Sequence, residues 1–287
     1  MTDKTVTRTS TTSRWDSLRE IFVPSLANYR LWIVQFLGGI VIALGAVIFF
    51  RTGETWGQLF LGSLLAVVVA VVWLTVDGGT FNYYLDQQRN QPSPLKPALI
   101  RAFKHLLPLA ILAALFLFLR IKLQRLDDYH YSVPGYLRSE FPAWLRRHVS
   151  EGRVQNIYDL FVFFVGWIVL PALFLPFASL CADKGFNGFA ASRTWVRMLR
   201  NRSFWGVLIV ASILGVVAPT AILQWRLDPR TATSTSETIF LVFRMFVGYA
   251  LVIAAWLMVS FMLARARMKA DALPVKPPAA ENNAKEK

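Results

Sequence analysis

Cysteine is almost missing from this chain: Cys181 is the only one in 287 residues. A lone thiol excludes an internal disulfide and offers no thiolate cluster for a metal. Histidine is nearly as scarce, with only His105, His130 and His148. His130 stands beside Asp127 and Asp128, but no fixed helical spacing joins the three, so no metal or other cofactor is expected. Charge is thin and one-sided: 17% of residues are charged, and 31 Lys and Arg face 17 Asp and Glu, for a net charge of +14. No phosphate-binding glycine loop, nucleophile elbow or zinc-protease motif occurs. No acid–base pair shares a predicted depth, so no catalytic residue is assigned and an enzyme is not expected.

What the chain has in abundance is apolar residues, 55% of the total, with a mean hydropathy of +0.44. They fall in long, almost uncharged runs, and about 20 helical residues cross the ~30 Å hydrocarbon core of a bilayer. Lipid offers no partner for backbone N–H and C=O groups, so such runs must be helices. The pattern predicts an all-α polytopic membrane protein with six spans, near 31–50, 57–76, 103–123, 160–182, 204–225 and 238–264. The third is the weakest, because only Leu106–Leu119 is uninterrupted. Snorkelling by Lys104, Arg120 and Lys122 extends it to full length; a re-entrant segment would leave five spans. No cleavable signal peptide is expected. Residues 14–270 form one transmembrane domain, flanked by segments 1–13 and 271–287 whose composition predicts disorder.

With six spans, both termini share a side with the loops 82–105 and 182–203. That side carries 20 basic residues and the opposite side 10, which predicts cytoplasmic termini. Three segments on it read as amphipathic elbow helices. The first carries Trp15, Leu18, Phe22 and Leu26, with Pro24 as its break. The second, after a Ser93 cap and Pro94, carries Leu95, Ala98, Leu99, Ala102 and Leu106 on one face. Lys96, Arg101 and Lys104 point elsewhere. In the third, beyond Gly185 and Gly188, the apolar residues Phe189, Val196 and Leu199 oppose Arg193, Arg197 and Arg200. These six cations are the candidate contacts to anionic lipid headgroups, a simpler partner than nucleic acid for basic helices beside spans. Asp86 and Asn90 recur as Asp183 and Asn187, 97 residues later, which suggests an internal repeat. On the other side, Pro142–Val149 reads as a short helix among Tyr129, Tyr131, Tyr136, Phe141 and Tyr158, an interfacial aromatic belt.

Pro171-Ala172-Leu173 and Pro176 lie within a span. They are followed by Asp183-Lys184-Gly185, Gly188-Phe189-Ala190-Ala191-Ser192-Arg193-Thr194-Trp195 and Phe204-Trp205. Over about 55 residues this pattern resembles the glycerophosphodiester phosphodiesterase membrane-domain superfamily and related six-helix bacterial membrane proteins. The resemblance implies a helical inner-membrane module with interfacial elbows. The phosphodiesterase activity of some relatives belongs to a separate soluble barrel, for which this chain has no room, so no catalytic residue carries over.

Within the spans, polar residues are few. Asp77, near the inner end of the second, marks an ion path by default, while Gln35 reads as a helix–helix hydrogen bond. Arg244 is the one cation inside a confident span; it either snorkels or pairs with Asp159 at the start of the fourth. Pro171, Pro176 and Pro219 interrupt the backbone ladder, as in transporters. Small residues spaced by four, such as Gly62, Ala66 and Ala70, signal close helix packing. The expectation is a non-enzymatic membrane protein serving membrane organisation, partner assembly or lipid handling, with a membrane-protein partner or a second copy as further partner classes. A small-solute transporter or channel using Asp77 and the broken helices is the alternative.

Overall fold

The computed structural model describes residues 14–51, 55–91, 94–225 and 234–272. The segment 1–13, the tail beyond Ala272 and the expected Ser93 cap lie outside that set, as do the side chains of Trp15 and Leu18. Regular structure among the described residues is helical throughout. In chain order it comprises α1 (Arg14–Leu26), α2 (Tyr29–Arg51), α3 (Trp56–Gln88), α4 (Leu95–Lys104), α5 (Leu106–Gln124), α6 (Ser132–Ser139) and α7 (Ala143–His148). There follow α8 (Glu151–Lys184), α9 (Asn187–Ala190), α10 (Ser192–Leu199), α11 (Arg202–Gln224) and α12 (Ser234–Ala272). Six of them, α2, α3, α5, α8, α11 and α12, are long and apolar enough to cross a membrane. The chain is an all-α polytopic membrane protein.

Helix α5 runs antiparallel to α8 along its whole length. His105 Nδ1 lies 3.0 Å from the Ala182 carbonyl at one end, the Phe116 and Phe174 rings meet at 5.6 Å midway, and Tyr158 Oη donates to the Leu126 carbonyl at the other. The third apolar run is therefore a full-length helix. It starts at Leu106, later than the sequence suggests, because Phe103 and Lys104 belong to α4. Pro108 accounts for the break: it has no N–H for the Lys104 carbonyl, and its ring crowds that group. Pro24 interrupts less. It withholds one donor near a helix end, and α1 continues through it to Leu26 before turning at Ala27 and Asn28.

The prolines inside the spans leave the helices continuous, and ahead of two of them the helix is locally underwound. Five-residue π-turns, Val165–Val169 and Ile213–Val217, precede Pro171 and Pro219. A π-turn absorbs the ring by widening the preceding turn. Pro171 also leaves the Trp167 carbonyl without its usual donor. The Ser212 hydroxyl of α11 lies 2.9 Å from it and 2.9 Å from its own helix's Leu208 carbonyl, sharing one hydrogen between them.

The packed core is concentrated at one end. Tyr84, Leu85, Leu180, Cys181, Met198, Phe204 and α12 from Leu257 to Ala264 are almost fully buried there. Glycines let the helices approach: a Cβ on Gly79 would lie 2.5 Å from Leu99, and one on Gly188 would lie 2.7 Å from the backbone of Leu180 and Cys181. The same end collects α1, the C-terminal ends of α3, α8 and α12, and the short helices α4, α9 and α10.

Candidate functional site at the basic end

Two of the turns entering spans are built alike. Leu26-Ala27-Asn28-Tyr29-Arg30-Leu31-Trp32 and Leu199-Arg200-Asn201-Arg202-Ser203-Phe204-Trp205 share Leu-x-Asn-x-x-apolar-Trp. In each, the asparagine Oδ1 accepts the backbone N–H two residues on, at 3.2 and 3.1 Å, an N-terminal cap for the span. The tryptophan indole then donates back to the last carbonyl of the preceding short helix, Leu26 at 3.0 Å and Leu199 at 2.8 Å. The intervening Leu31 and Phe204 are buried. One side chain closes the end of one helix while opening the next. The spacing of the intervening unit also recurs: α4 starts at Leu95 and α10 at Ser192, 97 residues apart, the offset that relates Asp86 to Asp183.

Those two aspartates meet in one ion network. Arg101 of α4 holds Asp86 with both Nη atoms, at 2.8 and 3.1 Å, and reaches Asp183 at 3.5 Å. Arg89 lies 3.3 Å from Asp183. From α12, Arg267 lies 3.6 Å from Asp183 and donates through Nε to Asp271 at 2.8 Å. Asp86 and Arg267 are 2% and 0% exposed, so these charges are tolerated only as partners. The Asp86 hydrogen bonds push the Arg101 guanidinium still further above its ordinary, already basic pKa. Asn82 adds its amide to the Ala182 carbonyl at 3.0 Å. Chain reversal next to the network uses left-handed backbone at Asn90 (φ 55°) and Gly185 (φ 62°). Asparagine tolerates that conformation and glycine favours it. Four helices, α3, α4, α8 and α12, are thus tied at one end by three cations and three carboxylates.

The six expected lipid contacts divide. Lys96, Lys104, Arg193 and Arg200 are exposed. Arg101 turns into the network, and Arg197 donates to the Ala270 carbonyl at 2.9 Å, so both act within the protein. Sequence reasoning had noticed Asp86 and Asp183 only as a repeat, and it missed Arg267. The available signal was Arg267 followed four residues later by Asp271, the spacing at which opposite charges meet on a helix.

Deeper in the bundle, Gln35 Nε2 donates to Asp77 Oδ1 at 3.3 Å and Thr80 Oγ1 at 2.9 Å, joining α2 to α3. Tyr249 of α12 donates to the Gln35 carbonyl at 2.8 Å. Asp77 is thus part of a helix-to-helix polar contact, and neither of two open surface grooves near α1 includes it. At the opposite end of the bundle, the Arg244–Asp159 pair, one of the two alternatives for Arg244, does not form. Arg244 Nη1 donates to the carbonyls of Leu223 and Trp225, and its guanidinium lies 4.8 Å from the Phe240 ring. Asp159 is exposed. The physical reason is local: the last carbonyls of α11 have no helical donors and carry the negative end of its dipole, an acceptor site beside Arg244 itself.

Among the described residues no group of three His, Cys, Asp or Glu side chains is placed to hold a metal. The chemistry assembled here is charge pairing, hydrogen bonding and exposed cation display. Compared with known proteins, the chain matches no family model, no curated protein and no solved structure.

Proposed function

We propose a non-enzymatic protein of the cell membrane, a bacterial inner membrane by its resemblance, that organises its surroundings through the basic end. In this reading that end, with both termini, faces the cytoplasm, and α4 and α10 act as amphipathic elbows in the headgroup layer. The likeness to the glycerophosphodiester phosphodiesterase membrane domains belongs to the same proposal, as a membrane module without the soluble barrel. The observation that carries it is the division of the basic side chains. Arg89, Arg101 and Arg267 are matched by Asp86, Asp183 and Asp271, while Lys96, Lys104, Arg193 and Arg200 are exposed with no ion pair among the described residues. Each cation near an anionic surface adds about 1 kcal/mol of attraction. Transport through Asp77 is the weaker reading, since its carboxylate accepts a hydrogen bond from Gln35.

The test replaces Lys96, Lys104, Arg193 and Arg200 together by Gln. Enrichment of anionic over neutral lipid around the reconstituted protein should fall, and the wild-type preference should weaken in high salt. A preference unmoved by both changes removes the elbows from the account. Orientation is tested separately, by single-cysteine labelling in a Cys181→Ala background. Cysteines at Asn90 and Asn201 should be shielded from an impermeant reagent in intact cells, and one at Ser139 should label. The reverse pattern overturns the cytoplasmic assignment.

A further inference from the structure

A groove of about 390 Å³ opens at the basic end where α1 turns into α2 and both meet the end of α3. Pro24 and Ala27 form part of its wall, and its polar lining is Asn28, Tyr29, Arg30, Tyr83 and Gln87, with no carboxylate. Arg30 is exposed and makes no ion pair among the described residues. Its Nε donates to the Tyr29 hydroxyl at 3.4 Å, which leaves both Nη groups open. Tyr83 accepts from Asn28 Nδ2 at 2.6 Å, so its own phenolic hydrogen remains to be donated. The groove therefore offers a guanidinium fork and phenolic donors without a competing acid, a donor set that fits a phosphate diester.

Depth and shape argue for a lipid as the source of that phosphate. Tyr29 and Tyr83 line the groove, and the Trp32 indole bonds the Leu26 carbonyl at the same turn, an aromatic set that suits the interfacial level of a membrane. From Arg30, the same face of α2 continues through Ile33, Leu37, Val41 and Leu44, which are 52%, 56%, 42% and 58% exposed. Residues at those spacings form one continuous apolar stripe running into the hydrocarbon. We infer that this groove is a glycerophospholipid site: Arg30, Tyr29 and Tyr83 hold the phosphate diester, and an acyl chain lies along the Ile33–Leu44 face of α2. The site is separate from the exposed cations of α4 and α10. It selects for the phosphate itself, so it takes zwitterionic as well as anionic lipids.

The full-length protein, delipidated in mild detergent, is titrated with phosphatidylglycerol, phosphatidylethanolamine and a diacylglycerol of the same chains, with bound lipid counted by native mass spectrometry. The two phospholipids should bind at least ten-fold more tightly than diacylglycerol. Arg30→Gln should weaken both by about ten-fold and leave diacylglycerol unchanged, the scale of one lost charge-assisted hydrogen bond. Tyr83→Phe should weaken them a few-fold, and Arg30→Lys should fall between wild type and Arg30→Gln. Inorganic phosphate at millimolar concentration should not displace the lipid; displacement would identify a free-anion site and overturn the assignment. Equal affinities for wild type, Arg30→Gln and Tyr83→Phe would also overturn it. The Lys96, Lys104, Arg193 and Arg200 quadruple variant should bind phosphatidylethanolamine as wild type does, so failure of the elbow proposal and failure of this one are read apart.

Discussion

Helix α3 passes through two regimes in a single element. From Gly78 to Asp86 nearly every residue is buried against α4, α8 and α12, whereas from Trp56 to Val71 nearly every residue faces outward. The same contrast separates helices: 56% of the most apolar window of α12 is buried, against 6% in α3. In water the outward half would be an aggregation surface. In a bilayer, lipid tails are as apolar as Val or Leu, so nothing drives those side chains together. Tight packing then gathers where polar groups need partners, and here that is the basic end.

That contrast can be broken most severely at Asp183, which three guanidiniums share. Asp183→Leu should lower stability in detergent by roughly 3–5 kcal/mol, because it takes from Arg89 its carboxylate and leaves the buried Arg267 with Asp271 alone. Leu64→Ala in the outward half of α3 should shift the same thermal transition by no more than about 0.5 kcal/mol. Similar losses at the two positions would show that the bundle is held uniformly and erase the difference between its ends.

A smaller effect sharpens the comparison at the far end. Arg244→Leu should reduce stability by about 1–2 kcal/mol, the scale of a hydrogen bond to a charged group. Asp159→Leu should be nearly silent, and the double variant should equal the sum of the two. A recovery in the double variant would restore the ion pair that the sequence suggested and give the far end a charged lock of its own.

The fold was largely legible because its strongest determinant, apolar run length, is local. All six spans could be placed from it, but the start of the third was set at 103, inside α4, because the missing donor of Pro108 to the Lys104 carbonyl was not counted. The ion network was hidden for the opposite reason. Arg101, Asp183 and Arg267 are far apart in sequence, and an arginine just beyond a span looks the same whether it reaches headgroups or turns inward. Arg197 illustrates this: its spacing on α10 places it with Arg193 and Arg200, yet a backbone carbonyl of α12 claims it. For Arg244 the sequence left snorkelling and a pair with Asp159 open, and neither named the backbone carbonyls that accept from it. The paired Leu-x-Asn-x-x-apolar-Trp turns were visible all along, but their 173-residue separation exceeds the 97-residue offset that drew attention first.

The hydroxyl of Ser212 facing the Trp167 carbonyl has a consequence for biogenesis. Trp167 enters the membrane about 45 residues ahead of Ser212 in the order of synthesis. During that interval the carbonyl that Pro171 cannot serve stands in or near hydrocarbon without its partner, an unfavourable state by a few kcal/mol. The fourth and fifth spans are therefore expected to leave the insertion machinery as a hairpin, the earlier one waiting in a polar or protein-lined environment until the later one arrives.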